Sequence, residues 1–187
     1  MDNLIKIKRY SLWVFIIPML TINLCLIIVT NFHSIMEPGG AIHSTIPYID
    51  GGASISRTAR FYPTYLIFKP AMFLTSILLF NYWQSNYKLM SSISNDYNYK
   101  KYFRFFGITS AAFLVLHSIF LGVNLDFSFY KVFRRLVILS FIIFELMAQI
   151  FLVINIYKIK SKIITFSNSY ILKAKIILVT ILVAVTI

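Results

Sequence analysis

Five stretches of near-continuous hydrocarbon, at residues 12–30, 63–83, 103–123, 133–157 and 170–187, constrain this chain more than any other feature. The first has 19 predominantly apolar residues, which at roughly 1.5 Å per residue cross the roughly 30 Å hydrocarbon core of a bilayer. Inside a membrane each backbone N–H and C=O must find its partner within the protein, so such a run is helical. The expectation is an all-α membrane protein: one domain over residues 1–187, built as an antiparallel bundle of five transmembrane helices. The chain is 59% hydrophobic and 13% charged, whereas a soluble domain is nearer half apolar and a quarter charged.

The charge pattern gives the orientation. The formal net charge is +12, but the cations fall in short clusters between apolar runs, as the positive-inside rule produces. No soluble basic domain exists to carry a nucleic acid. Lys6, Lys8 and Arg9 precede the first span. Residues 31–33 offer no small-residue cleavage site, so the span reads as an uncleaved helix with its N-terminus in the cytoplasm. This topology places twelve basic residues inside and six outside. Lys131, Arg134 and Arg135 lie at the outer end of the fourth span and oppose the rule. Lys173 and Lys175 are expected to snorkel at the inner end of the last span. That span reaches Ile187 without a polar flank, which leaves two readings: a chain that continues, or a helix that ends at the outer surface. Ile-, Lys-, Asn-, Phe- and Tyr-rich usage favours an AT-rich genome and a bacterial inner membrane over a eukaryotic endomembrane or plasma membrane. Cys25, the single cysteine, reads as a buried thiol.

Residues 31–61 form the large outer loop. Pro38-Gly39-Gly40 predicts irregular backbone there, and Phe61, Tyr62 and Tyr65 sit where an interfacial aromatic belt belongs. Pro63 suits the first position of the second helix, because its missing N–H would have been unpaired anyway. Pro18 is a candidate kink in the first helix. In the third, Gly107, Ala111, Ser118 and Gly122 fall within a narrow arc, a groove that lets a neighbouring helix approach closely.

Two constellations carry chemistry. In the loop, Asp50, Ser54, Ser56, Arg57 and Arg60 combine a carboxylate, hydroxyls and guanidiniums at headgroup depth, and Lys69 adds a third cation. Guanidiniums grip phosphate bidentately, so a phospholipid headgroup is the natural ligand. The structural alternative is that Ser and Asp satisfy turn backbone while the arginines pair with Asp50 or Glu37. Within the spans, Glu145 and His117 lie near the midplane, and Gln149 is one turn from Glu145 on the same face. A charge there costs about 2.5–3.5 kcal/mol on insertion scales, so a His117–Glu145 pair is expected, either as a proton relay, as a polar cavity floor or as packing glue. His33, Glu37, His43 and Asp50 lack the tight spacing of a metal motif, and no metal or cofactor is expected. No phosphate-binding glycine loop, nucleophile elbow or zinc-protease motif is present.

The spacing Ile55-Ser56, six residues, Pro63, four residues, Phe68 resembles the DRAM/Frag/Sfk family of polytopic membrane proteins (Cwh-type N-terminal domain). Pro47-Tyr48-Ile49 and Ser54-Ile55-Ser56 look like two variants of its first-outer-loop element placed in tandem. The resemblance covers about residues 12–83. It implies a six-helix fold and an association with membrane lipids, not an established reaction. The leading expectation is therefore a lipid-interacting integral membrane protein that binds phospholipid headgroups through the first outer loop. It would modulate membrane lipids or a membrane-protein partner, in an oligomeric state the sequence leaves open. The alternatives are a lipid or lipid-anchor remodelling enzyme using His117 and Glu145, and a small-solute transporter. A two-sided path through five spans without an evident repeat is the least favoured.

Overall fold

The computed structural model describes residues 2–42, 48–49, 52, 54–93, 99–123, 129–159 and 169–186. Among them the regular structure is helical, without strands: α1 (Asp2–Asn31), a 3-10 turn at His33–Ile35, the single turn α2 (Ile55–Thr58), α3 (Thr64–Ile93), α4 (Tyr99–Phe120), α5 (Phe129–Lys158) and α6 (Ser169–Thr186). Four helices, α1, α3, α4 and α5, are long and apolar enough to cross a membrane. The fifth apolar run forms α6, which touches α5 only lightly.

The helices outrun the apolar stretches that announce them. The second apolar stretch ends at residue 83, yet α3 continues through the more polar residues 84–93. Ser85, Asn86 and Met90 are buried there, and the Asn86 amide donates to the Tyr82 carbonyl at 2.8 Å. Satisfied this way, a polar side chain no longer competes with the helical backbone. At the other end, Pro63 precedes α3, and its carbonyl accepts the Leu66 N–H at 3.1 Å. α1 runs unbroken through Pro18. Proline has no N–H to return to the carbonyl four residues earlier, so Val14 loses its intrahelical partner.

Packing follows the order α1–α3–α4–α5, with the largest interfaces between α4 and α5 and between α1 and α3. Lipid tails are as apolar as leucine, so helices associate in a membrane through close packing and interhelical hydrogen bonds. Both devices join α3 to α4. A Cβ added at Gly107 would come within 2.3 Å of the Trp83 ring; the indole therefore occupies the place of that side chain. The Ser76 hydroxyl donates to the Ala111 carbonyl at 2.7 Å. Aromatic stacks join α4 to α5: Phe113 on Phe144 at 5.4 Å and Phe106 on Phe151 at 5.5 Å between centroids. The Tyr130 hydroxyl reaches the Phe120 carbonyl at 2.7 Å, satisfying the end of α4. On α1, Cys25 is fully buried, with its thiol 3.6 Å from the Thr64 carbonyl.

α1 and α5 stand at the two ends of this series and are not packed along each other. The space between them holds the larger of two cavities described next.

Candidate functional site

The first cavity is polar and lies at the end of the bundle that carries the His33–Ile35 turn and the residues just before α3. It has a volume of about 350 Å³ and is lined by Glu37, Pro38, Arg60, Phe61, Tyr65, Lys69 and Gly122. Gly122 has φ +79°, and a Cβ there would stand 3.0 Å from the Arg60 carbonyl oxygen. A glycine is required by both backbone and space, and it lets the chain around Arg60 rest on the end of α4. Lys69, one turn below Tyr65 on α3, holds its ammonium 5.7 Å from that ring.

The electrostatics are one-sided. Burial, then the Arg134 guanidinium, then that of Arg57, hold Arg60 below the usual guanidinium value. The buried Arg60 Nε has no hydrogen-bond partner. Of the two carboxylates in the structural alternative, Glu37 is engaged elsewhere, its Oε2 accepting the Tyr62 N–H at 3.3 Å, and Asp50 lies outside the described residues. Among the described residues the result is a cationic cluster with one carboxylate at its edge, already engaged by backbone.

The second cavity is almost wholly apolar and has a volume of about 420 Å³. Its walls include Val14, Pro18 and Ile22 of α1, Met72 and Thr75 of α3, Leu114 of α4, and Ile138 and Phe141 of α5. Ile55 and Ser56 lie at one end, and Glu145 and His117 are its ionisable members. The hydroxyl of Thr75 is engaged by the Ala71 carbonyl at 2.8 Å.

Glu145 is held by three donors. Its Oε2 accepts from Ser110 Oγ at 2.7 Å and Trp83 Nε1 at 3.2 Å, and its Oε1 accepts from Gln149 Nε2 at 3.0 Å. An ionised carboxylate is an acceptor only, and this set suits it. Lys175 of α6 lies within electrostatic reach of Glu145. The expected His117–Glu145 pair is not made. Both residues line one cavity, but His117 Nδ1 is buried without a partner, and its charged neighbour is Arg134.

The structure thus divides the loop candidates. Arg60 and Lys69 meet in the polar cavity, Ser56 lines the apolar one, and Ser54 and Arg57 are exposed at the α2 turn. Asp50 and His43 lie outside the described residues. Among those described, no three His, Cys, Asp or Glu side chains are placed to hold a metal ion. Three functional candidates escaped the sequence reading: Trp83 and Ser110, which bind Glu145, and Arg134, which joins the cation cluster. The signal for Arg134 was available, because in the expected topology it is a cation on the side that the positive-inside rule disfavours.

Comparison with protein-family models, with curated proteins and with solved structures finds no match.

Proposed function

We propose that this chain is an integral membrane protein that binds the anionic headgroup of a phospholipid between Arg60, Lys69 and Arg134. The observation that carries the reading is the half-buried Arg60, which is flanked by Arg134 and the exposed Arg57 and whose guanidinium leaves Nε unpaired. A desolvated cation with no carboxylate partner among the described residues is costly to keep, and a phosphate supplies both the charge and the acceptors. The 350 Å³ of polar cavity beside it falls within the size range of small-molecule sites. In this proposal the five spans run antiparallel with the N-terminus in the cytoplasm, so the site faces the outer leaflet of a bacterial inner membrane. Membership of the DRAM/Frag/Sfk family belongs to the same proposal and rests on Ile55, Ser56, Pro63 and Phe68. An acid–base enzyme using His117 with Glu145 loses its main support, since Glu145 is held by Ser110, Trp83 and Gln149 while His117 Nδ1 has no partner.

Thermal unfolding in detergent, with phosphatidylglycerol or phosphatidylcholine added, tests the proposal. A ligand at a hundred times its Kd stabilises by about 2.7 kcal/mol. Phosphatidylglycerol is expected to raise Tm and phosphatidylcholine to leave it nearly unchanged. Equal shifts from the two lipids would end the headgroup reading.

A further inference from the structure

The cavity between α1 and α5 begins, at Ile138, one turn of α5 from Arg134 of the cation cluster. On α5, Arg134, Ile138, Phe141, Ile142 and Glu145 fall on one face at helical spacing. The last four line the cavity, and Arg134 stands one turn before Ile138. From Arg134 to Glu145 is about 16 Å along the helix at roughly 1.5 Å per residue. That is about half of a hydrocarbon core roughly 30 Å thick, the depth of one leaflet. The rim is open: Ile55 is 53% and Ile142 42% exposed.

Physical chemistry restricts the occupant. Water in a cavity needs about two to four polar partners; here Thr75 is engaged by its own helix and Glu145 already has three donors, while His117, whose buried Nδ1 has no partner, offers water one site in an otherwise apolar wall. A void forfeits the dispersion contacts of every atom that lines it. The medium at this depth is acyl chain.

We propose that the cavity takes one acyl chain of an anionic phospholipid, which enters between α1 and α5 beneath the α2 turn and ends near Glu145. The choice of an anionic lipid rests on the headgroup reading above; the chain site rests on the cavity. Arg134 at the mouth and Arg60 beside it hold the phosphate. The chain follows the α5 stripe inward, and Ser56 and Ile55 close over its first carbons. The three donors on Glu145 leave that carboxylate satisfied, so an apolar chain end can lie against it at little cost.

Trp83 reports the far end, since its indole nitrogen is 3.2 Å from Glu145. The other tryptophan, Trp13, is 46% exposed on α1 and is removed by Trp13→Phe. The full-length Trp13→Phe protein is placed in nanodiscs containing phosphatidylglycerol or phosphatidylcholine brominated near the chain end, and quenching of Trp83 is read. Bromine quenches only at close range. Brominated phosphatidylglycerol is expected to quench at least two-fold more than brominated phosphatidylcholine. Filling the cavity with Leu114→Phe, or narrowing its exposed rim with Ile142→Phe, is expected to remove at least half of that quenching. The rim variant is at a position that tolerates bulk, so it remains informative if Leu114→Phe fails to fold. Quenching untouched by the rim variant overturns the chain site, even if phosphatidylglycerol is still preferred. Equal quenching by both lipids, removed by the fillings, keeps the chain site and overturns the anionic choice together with the headgroup reading.

Discussion

The Ser110 hydroxyl donates to Glu145 Oε2 at 2.7 Å, tying the middle of α4 to the middle of α5. The same oxygen accepts from Trp83 of α3, so one carboxylate fastens three helices at the depth where lipid offers nothing polar. Interhelical hydrogen bonds in membranes average only about 0.6 kcal/mol, whereas a buried donor left without an acceptor costs about 1–3 kcal/mol. The second figure governs what substitution does here.

Glu145→Gln is therefore expected to be mild, because its amide oxygen still accepts from Trp83 and Ser110, and Gln149 can rotate its own carbonyl to face the new NH₂. Glu145→Leu strands Trp83 Nε1 and Gln149 Nε2; Ser110 falls back on the Gly107 carbonyl, which it already reaches at 2.9 Å. Thermal unfolding in detergent should rank the variants wild type, Gln, Leu, with the Leu form destabilised by about 2–4 kcal/mol. A Gln form as unstable as the Leu form would show that the carboxylate's charge, not its acceptors, holds the helices.

Gly107→Ala is predicted to destabilise by about 1–3 kcal/mol, the range for overpacking a filled core. The added methyl would meet the Trp83 ring at 2.3 Å. Trp83→Phe shortens that ring, so the double variant should recover part of the loss. A double-mutant cycle reads this as a coupling of about 0.5–3 kcal/mol. Simple additivity would contradict the contact.

Arg60 should behave unlike an ion-pair arginine. Among the described residues its charged neighbours are Arg134 and Arg57, both cations. In lipid-free detergent at low salt, Arg60→Gln is expected to leave stability unchanged or raise it by up to about 1 kcal/mol, and salt should erase the difference. The same variant should lose most of the stabilisation that phosphatidylglycerol gives the wild type. A drop in stability without lipid would indicate a structural partner for Arg60.

Orientation is open to cysteine labelling, because the native Cys25 is fully buried and silent until the protein unfolds. A membrane-impermeant maleimide added to intact cells should label Ser54→Cys. It should label Ser92→Cys, at the far end of α3, only after the membrane is opened. The reverse pattern would place the N-terminus outside.

Much of the architecture was legible because it depends on one-dimensional pattern. The apolar runs announce the membrane helices, and the Gly107–Ala111 spacing marks where Trp83 and Ser76 approach. Glu145 stood out because an acid in a hydrocarbon run has no bland explanation. Its partners were not legible. Ending the second helix at Trp83 put that indole at a membrane surface, whereas the continuation of α3 to Ile93 carries it to mid-bundle depth beside Glu145. The helix continues because Asn86 hydrogen-bonds within its own turn, which a polarity count does not register. Arg60 and Arg134 are far apart in sequence, and only the resting of the Arg60 segment on Gly122 brings them together.

Mass spectrometry of the lipids that survive gentle detergent purification tests the central claim most directly. The account predicts an anionic phospholipid enriched over the host membrane, and its loss from the Arg60→Gln, Arg134→Gln double variant. Retained lipid that matches the bulk membrane, or that is unchanged in the double variant, would contradict it.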